Sequence, residues 1–288
     1  MRPRRLPPTY VSSLCIMEHI DPNLRIVLSH RCPALQSIDK SAPLLVRNLQ
    51  IHPLEVQIND TSYQIGIIRH YQDPNFETPP EIACSNFLGG RCFDMDQYGF
   101  QVADIPLDKD PNEISIDGRN FNEHRLGWRR QWEAEQCKEW EVELEKLRKE
   151  RSRGNTQEIQ FLRVMNGWCT QEDIEQRIVA LQHQILPFNL RKSQAPPPYT
   201  HYIQLTIKTS QKIDRIERFQ YSGSVHNAAK YLMFKLFAGR HRSGCVKTRR
   251  LEMEFTGLIR LPKSLKIKAR EGNLEEEELD LLGDIVEF

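Results

Sequence analysis

No stretch of this 288-residue chain offers the roughly 20 consecutive apolar residues that a membrane-spanning helix needs, so no membrane partner is expected. The basic start Met1-Arg2-Pro3-Arg4-Arg5 is not followed by an apolar segment before Glu18 and His19, and this argues against a secretory signal. Charge of one sign is missing too: 40 Lys and Arg face 39 Asp and Glu, and bulk charge points neither toward nor away from nucleic acid. The seven cysteines contain no CxxC pair. An odd, dispersed set reads as reduced thiols in an intracellular protein, cytoplasmic or nuclear.

The sequence also lacks the local patterns on which most catalysis is built. It has no P-loop, no HExxH, no G-x-S-x-G and no strand–glycine loop–helix unit for a nucleotide. Cys84 and Cys92, with His52 and His70 upstream, are too widely spaced for a structural zinc site, which closes its pairs over about two to four residues. Asp94-Met95-Asp96 could offer two carboxylates to a cation, but reads first as a turn with solvated acids. No catalytic residue, metal or cofactor is therefore expected, and no enzyme.

Helical and strand signals divide the chain. Leu14, Met17 and Ile20 form one apolar stripe. Asp21-Pro22 ends it and caps a second helix with Leu24, Val27 and Leu28, and Pro33 opens a third with Leu35 and Ile38. Period-two alternation follows in three strands, 44–51, 54–59 and 62–70, with Asn59-Asp60 as a turn. Residues 71–118 lose periodicity and read as an irregular connection. From Arg129 to Arg153, 15 of 25 residues are charged, with neither Gly nor Pro. This predicts a helix over 120–153 on the order of 35 Å long or more.

One edge of that helix carries Trp128, Trp132, Trp140, Leu144 and Leu147. It reads as a seam packed on the next helices, or else as a partner-binding or coiled-coil face. Glu143 with Lys146 and Glu145 with Lys149 are spaced for ion pairs. Two more amphipathic helices follow, one with Ile159, Leu162 and Met165. The other, capped at Thr170, carries Ile174, Ile178, Leu181 and Ile185 and ends near Pro187. Strands at 200–209 and 213–221, a helix at 224–238 and strands at 246–254 and 264–269 make a β-β-α-β-β unit. Leu258, Leu261, Leu265 and Ile267 hint at a single leucine-rich repeat. Residues 271–288 hold eight acids and no base, the composition of a mobile tail.

The expected class is α+β. Its parts are a helical segment 1–43, strands 44–70, the irregular connection 71–118, a helical region 119–195, an α+β unit 196–270 and the acidic tail 271–288.

Ser12-Ser13-Leu14-Cys15-Ile16-Met17-Glu18-His19-Ile20-Asp21-Pro22-Asn23, with Arg25 and Arg31-Cys32-Pro33-Ala34-Leu35, resembles an F-box. It is closer still to the divergent F-box-like start of a family of nematode proteins. Asn59 to Ile67, Pro197 to Thr206, Ala229 to Leu232, Lys235 to Phe237 and Leu261-Pro262 resemble later blocks of that family. The resemblance covers most of the chain except 71–120 and the tail. It implies docking of a Skp-type adaptor of a cullin-RING ubiquitin ligase through Leu14, Ile16, Ile20 and Leu24, while the remainder captures a protein target that the sequence does not name. A different reading starts from ten Lys and Arg against two acids in 239–270. These could follow a nucleic-acid backbone, but a solvated face, or one neutralised by the tail, is the preferred reading.

Overall fold

The computed structural model describes residues 10–72, 77–102, 110–118, 123–153, 171–240 and 245–288. Three short helices open the chain: α1 (Tyr10–His19), α2 (Pro22–Arg31) and α3 (Pro33–Ser41). The carboxylate of Asp21 accepts from the backbone N–H groups of Asn23 (3.0 Å) and Leu24 (3.1 Å), and Pro22 occupies the first turn, where its missing donor costs nothing. The strands are β1 (Leu44–His52), β2 (Glu55–Ile58), β3 (Thr61–Tyr71), β4 (Glu113–Asp117), β5 (Tyr199–Thr209), β6 (Lys212–Gln220), β7 (Val246–Met253), β8 (Leu258–Pro262), β9 (Ile267–Gly272) and β10 (Val286–Glu287). The later helices are α4 (Pro80–Phe87), α5 (Glu123–Arg153), α6 (Gln171–Ser193), α7 (Val225–Phe237) and α8 (Glu276–Leu282).

Eight strands form one mixed sheet in the order β10-β9-β7-β1-β2-β3-β5-β6, and β4 with β8 makes a second, small sheet. The strands of 44–70 and those of 199–272 other than β8 thus share a sheet, with β1 lying parallel to β7. Leu44, Val46, Leu49 and Ile51 of β1 face the core, the alternation skipping one residue at Arg47-Asn48, and they share that core with Val225, Leu232, Leu236 and Phe237 of α7 and Leu261 of β8. The opposite face is open at the β1–β7–β9 end. At β3 it meets a turn after α4, where Ile67 and Arg91 exchange backbone hydrogen bonds of 2.9 and 2.8 Å. Gly66 permits this approach, since a Cβ there would stand 2.2 Å from the Gly89 carbonyl oxygen.

Helices α5 and α6 form their own apolar seam, in which Cys137, Leu144 and Leu147 meet Ile174, Ile178, Leu181 and Ile185. Arg177 joins the seam through two hydrogen bonds of 2.9 Å to Glu143. Glu143 therefore does not pair with Lys146 as its spacing suggested, whereas Lys149 and Glu145 do meet, at 3.3 Å. The helix expected around Ile159, Leu162 and Met165, and the Thr170 cap, lie outside the described residues.

Four expectations need correction. The connection 71–118 contains α4 and β4, too short for periodicity to register. Pro187 does not end a helix: α6 continues to Ser193, with Phe188 held edge-on by Phe100 (4.7 Å) and Trp140 (6.2 Å). Leu258 to Ile267 is not a solenoid repeat but two strands, β8 and the start of β9, in different sheets. The acidic tail is ordered as α8 and β10, because Leu282 and Ile285 are buried in the core and Glu287 meets Lys268 at 2.6 Å.

Candidate functional site

On α2 the residues turned inward are Pro22, Arg25, Ile26 and Ser29. The apolar stripe read from the sequence points the other way: Leu24 is 53% exposed, and Val27 and Leu28 are partly exposed. On α1 Met17 is buried and Ile16 is 54% exposed, with Leu14 and Ile20 in between. Of the four expected docking residues, Ile16 and Leu24 are therefore exposed, and Leu14 and Ile20 are half-buried.

Arg25 faces inward because its five donors find acceptors there. The guanidinium binds the Asp39 carboxylate and the carbonyl oxygens of Met17, Asp39, Ala42 and Pro43. The other carboxylate oxygen of Asp39 accepts from Arg240 at 2.7 Å, and the Asp39 carbonyl accepts from the same guanidinium at 2.9 Å. All three side chains are at most 1% exposed. Tyr63 of β3 donates to Asn23 at 3.0 Å, and Asn23 donates to the Ile58 carbonyl at 3.1 Å. The cap is thus fixed to the sheet and to the end of α7.

A second feature has no counterpart in the sequence reading. Between α4, the loop 91–101, α5 and α6 lies a cavity of about 700 Å³, within the size range of ligand pockets. Phe93, Phe100, Trp132, Trp140 and Phe188 supply its aromatic wall. The aromatic faces already attract cations: Arg129 lies 5.0 Å from the Phe93 centroid and Arg191 4.9 Å from that of Phe100. Arg129 also donates to Gln101 at 2.6 Å, and Gln184 to Glu81 at 3.0 Å, tying the helices to the loop and to α4. Arg91, on the rim, has no side-chain partner among the described residues.

Behind this cavity sits a buried polar cluster. Asp94 accepts from the Tyr221 hydroxyl at 2.9 Å and from the Val225 backbone at 2.6 Å. Asp94 is therefore buried rather than solvated, and Asp96 closes a turn by accepting from the N–H groups of Tyr98 and Phe100. No cluster among the described residues could hold a metal ion. His201 packs against the rings of Tyr199 and Tyr221, and burial, reinforced by Arg69, pushes its imidazole down to about 4. Burial pushes the Tyr199 hydroxyl up to about 12, against the opposing pull of the Arg69 guanidinium 4.3 Å from its ring centroid.

The basic run 239–270 is divided by the fold. Arg240 is locked on Asp39, and Arg260 is buried against Glu113 at 2.7 Å, so neither is free for a backbone track. Arg242 lies outside the described residues, while Lys247, Arg249, Arg250, Lys263, Lys268 and Arg270 are exposed. Among the described residues no helix is long and apolar enough to cross a membrane. No family model, no curated protein and no solved structure matches this chain.

Proposed function

We propose that this chain is an F-box-like recognition subunit, a member of the divergent family that its N-terminal residues resemble. In this reading the cap presents Ile16 and Leu24, flanked by Leu14 and Ile20, to a Skp-type adaptor of a cullin-RING ubiquitin ligase. The aromatic cavity beside α5 and α6 holds a segment of the protein target. The chain carries out no reaction of its own.

The observation that carries the reading is the orientation of α2. A helix placed only to cover a core would turn Leu24 and Leu28 inward and Arg25 outward. Here the arginine is buried and Leu24 lies outside, beside a helix that also exposes Ile16. The clamp on Asp39 supports it further, since a docking surface needs a rigid base if a partner is to bind without an ordering cost. Six free thiols among the described residues fit the reducing compartment in which such adaptors work.

The test is co-purification of the full chain with a Skp-type adaptor. Ile16→Ser with Leu24→Ser should reduce recovery of adaptor at least about tenfold, the scale of a lost apolar anchor of about 1.4 kcal/mol or more. The thermal midpoint should stay close to that of the parent, because both side chains are exposed. An adaptor that never binds the parent, or binds the double variant equally, would overturn the proposal.

A further inference from the structure

The open face of the sheet carries an arrangement that folding alone does not require. Strands β9, β7 and β1 are consecutive neighbours. The paired residues Val46 and Thr248 on one rung, and Asn48 and Arg250 two residues further on, leave Arg47 and Arg249 between them. On β9, Arg270 lies likewise between Ala269, paired with Thr248, and Glu271, paired with Arg250. Val46, Thr248 and Ala269 are buried, and the arginines that follow them are exposed, as are Asn48 and Arg250, where the in-out alternation of β1 and β7 skips one residue. Three exposed arginines therefore lie on three adjacent strands, whose axes are about 4.8 Å apart. Lys247 and Lys268 are paired two residues earlier on the same side.

Like charges placed side by side on a sheet cost stability. The internal relief is partial. Glu271 reaches Arg249 only at 3.7 Å with both groups well exposed, and Glu287 takes Lys268. No acid among the described residues pairs with Arg47, Lys247 or Arg270. The row reads as a site whose counter-charge comes from outside.

We infer that this face binds the phosphate backbone of a nucleic acid. Its three arginines span about 10 Å, two strand spacings, which matches roughly three phosphates at about 3.4 Å of axis each along one strand. Arginine forks suit phosphate oxygens. The outward residues of β1, β7 and β9 include no Phe, Tyr or Trp, so the face has no platform for stacking bases, and it contacts the backbone without reading sequence. An anionic membrane fits less well, since Leu45 is the only exposed apolar side chain among them. The inference does not depend on adaptor docking, which uses the cap.

Fluorescence anisotropy of the full chain with labelled oligouridine RNA and with duplex DNA, between about 50 and 200 mM salt, tests it. The logarithm of the affinity should fall linearly with that of salt, with a slope of about −2 to −4, as for three or four neutralised phosphates. Arg47→Gln, Arg249→Gln and Arg270→Gln together should lose about tenfold or more and reduce the slope by about two to three. Arg130→Gln, Lys138→Gln and Arg148→Gln on α5 remove as much charge elsewhere and should change little. Absence of salt-dependent binding to either nucleic acid overturns the inference. So does equal loss from both triple variants, or full retention by the first. Equal or better binding to phosphatidylserine vesicles or to polyglutamate would also overturn it, by reassigning the face to membrane or acidic protein.

Discussion

Asp39 accepts a 2.7 Å hydrogen bond from Arg240 across 201 residues of chain, while its other carboxylate oxygen holds Arg25. One carboxylate therefore serves two buried cations, and the cap, α3 and the end of α7 meet on it. Asp39→Asn should cost about 3–5 kcal/mol, because it removes the charge that both guanidinium groups need in a dry site. Urea unfolding of the variant reads the loss. A cost under about 1 kcal/mol would mean that water reaches the clamp.

Acid should weaken the fold through His201. Its imidazole titrates near 4 when folded, pushed down by burial and by Arg69, with Asp96 opposing, against about 6.5 in the unfolded chain. The unfolded state thus takes up the proton first, so this contribution is complete above about pH 6.5 and is lost as pH falls toward 4. It amounts to at most about 3 kcal/mol. His30 and His183, also lowered by burial, act in the same direction. His201→Phe should flatten the acid limb of stability against pH. An unchanged limb would assign acid sensitivity to other groups.

Lys40 should act at the alkaline end. Burial, with Arg240 close by, lowers its ammonium to about 8. Between there and the unfolded value of about 10.4 the unfolded chain holds the extra proton, so stability should rise with pH over that interval. Urea midpoints at about pH 8 and 9.5 should show a gain in the parent that Lys40→Met lacks. Equal slopes in the two proteins would refute the assignment.

Gly66→Ala should destabilise by about 1–3 kcal/mol, because the new methyl group meets backbone rather than a side chain that could move aside. The turn it displaces leads into the aromatic wall of the cavity, so tryptophan emission from Trp132 and Trp140 should shift with it. A cost below about 0.5 kcal/mol with unchanged emission would show that the turn yields freely.

Much of the local structure is legible in the residues. Alternation in Val56, Ile58, Tyr63, Ile65 and Ile67, broken by Asn59-Asp60, marks β2 and β3 to within a residue or two. Asp21-Pro22 marks the start of α2, and the Gly- and Pro-free charged run marks α5. The orientation of α2 is not legible, because the cost of burying Arg25 is met by acceptors on α1, on α3 and just beyond α3. The cavity is hidden for a similar reason: its walls come from α4, α5, α6 and a loop, each ordinary alone. Eight acids disguise the tail, since charge composition does not report that Leu282 and Ile285 lie on one inward side. The arginines come together only when β1 is laid beside β7 and β9, roughly two hundred residues further along the chain.

That adjacency bears on how the molecule is made. Strand β1 pairs with β7, with Leu44 set against Val246. During synthesis the first three strands emerge long before their neighbour, so one flank of β1 stays an unpaired edge, open to wrong partners, while most of the chain is translated. Closure then depends on a contact between distant segments, which favours slow folding. A newly made chain should therefore be most prone to aggregate in this interval, and chaperones that shield strand edges should improve its yield more than lowering its concentration does.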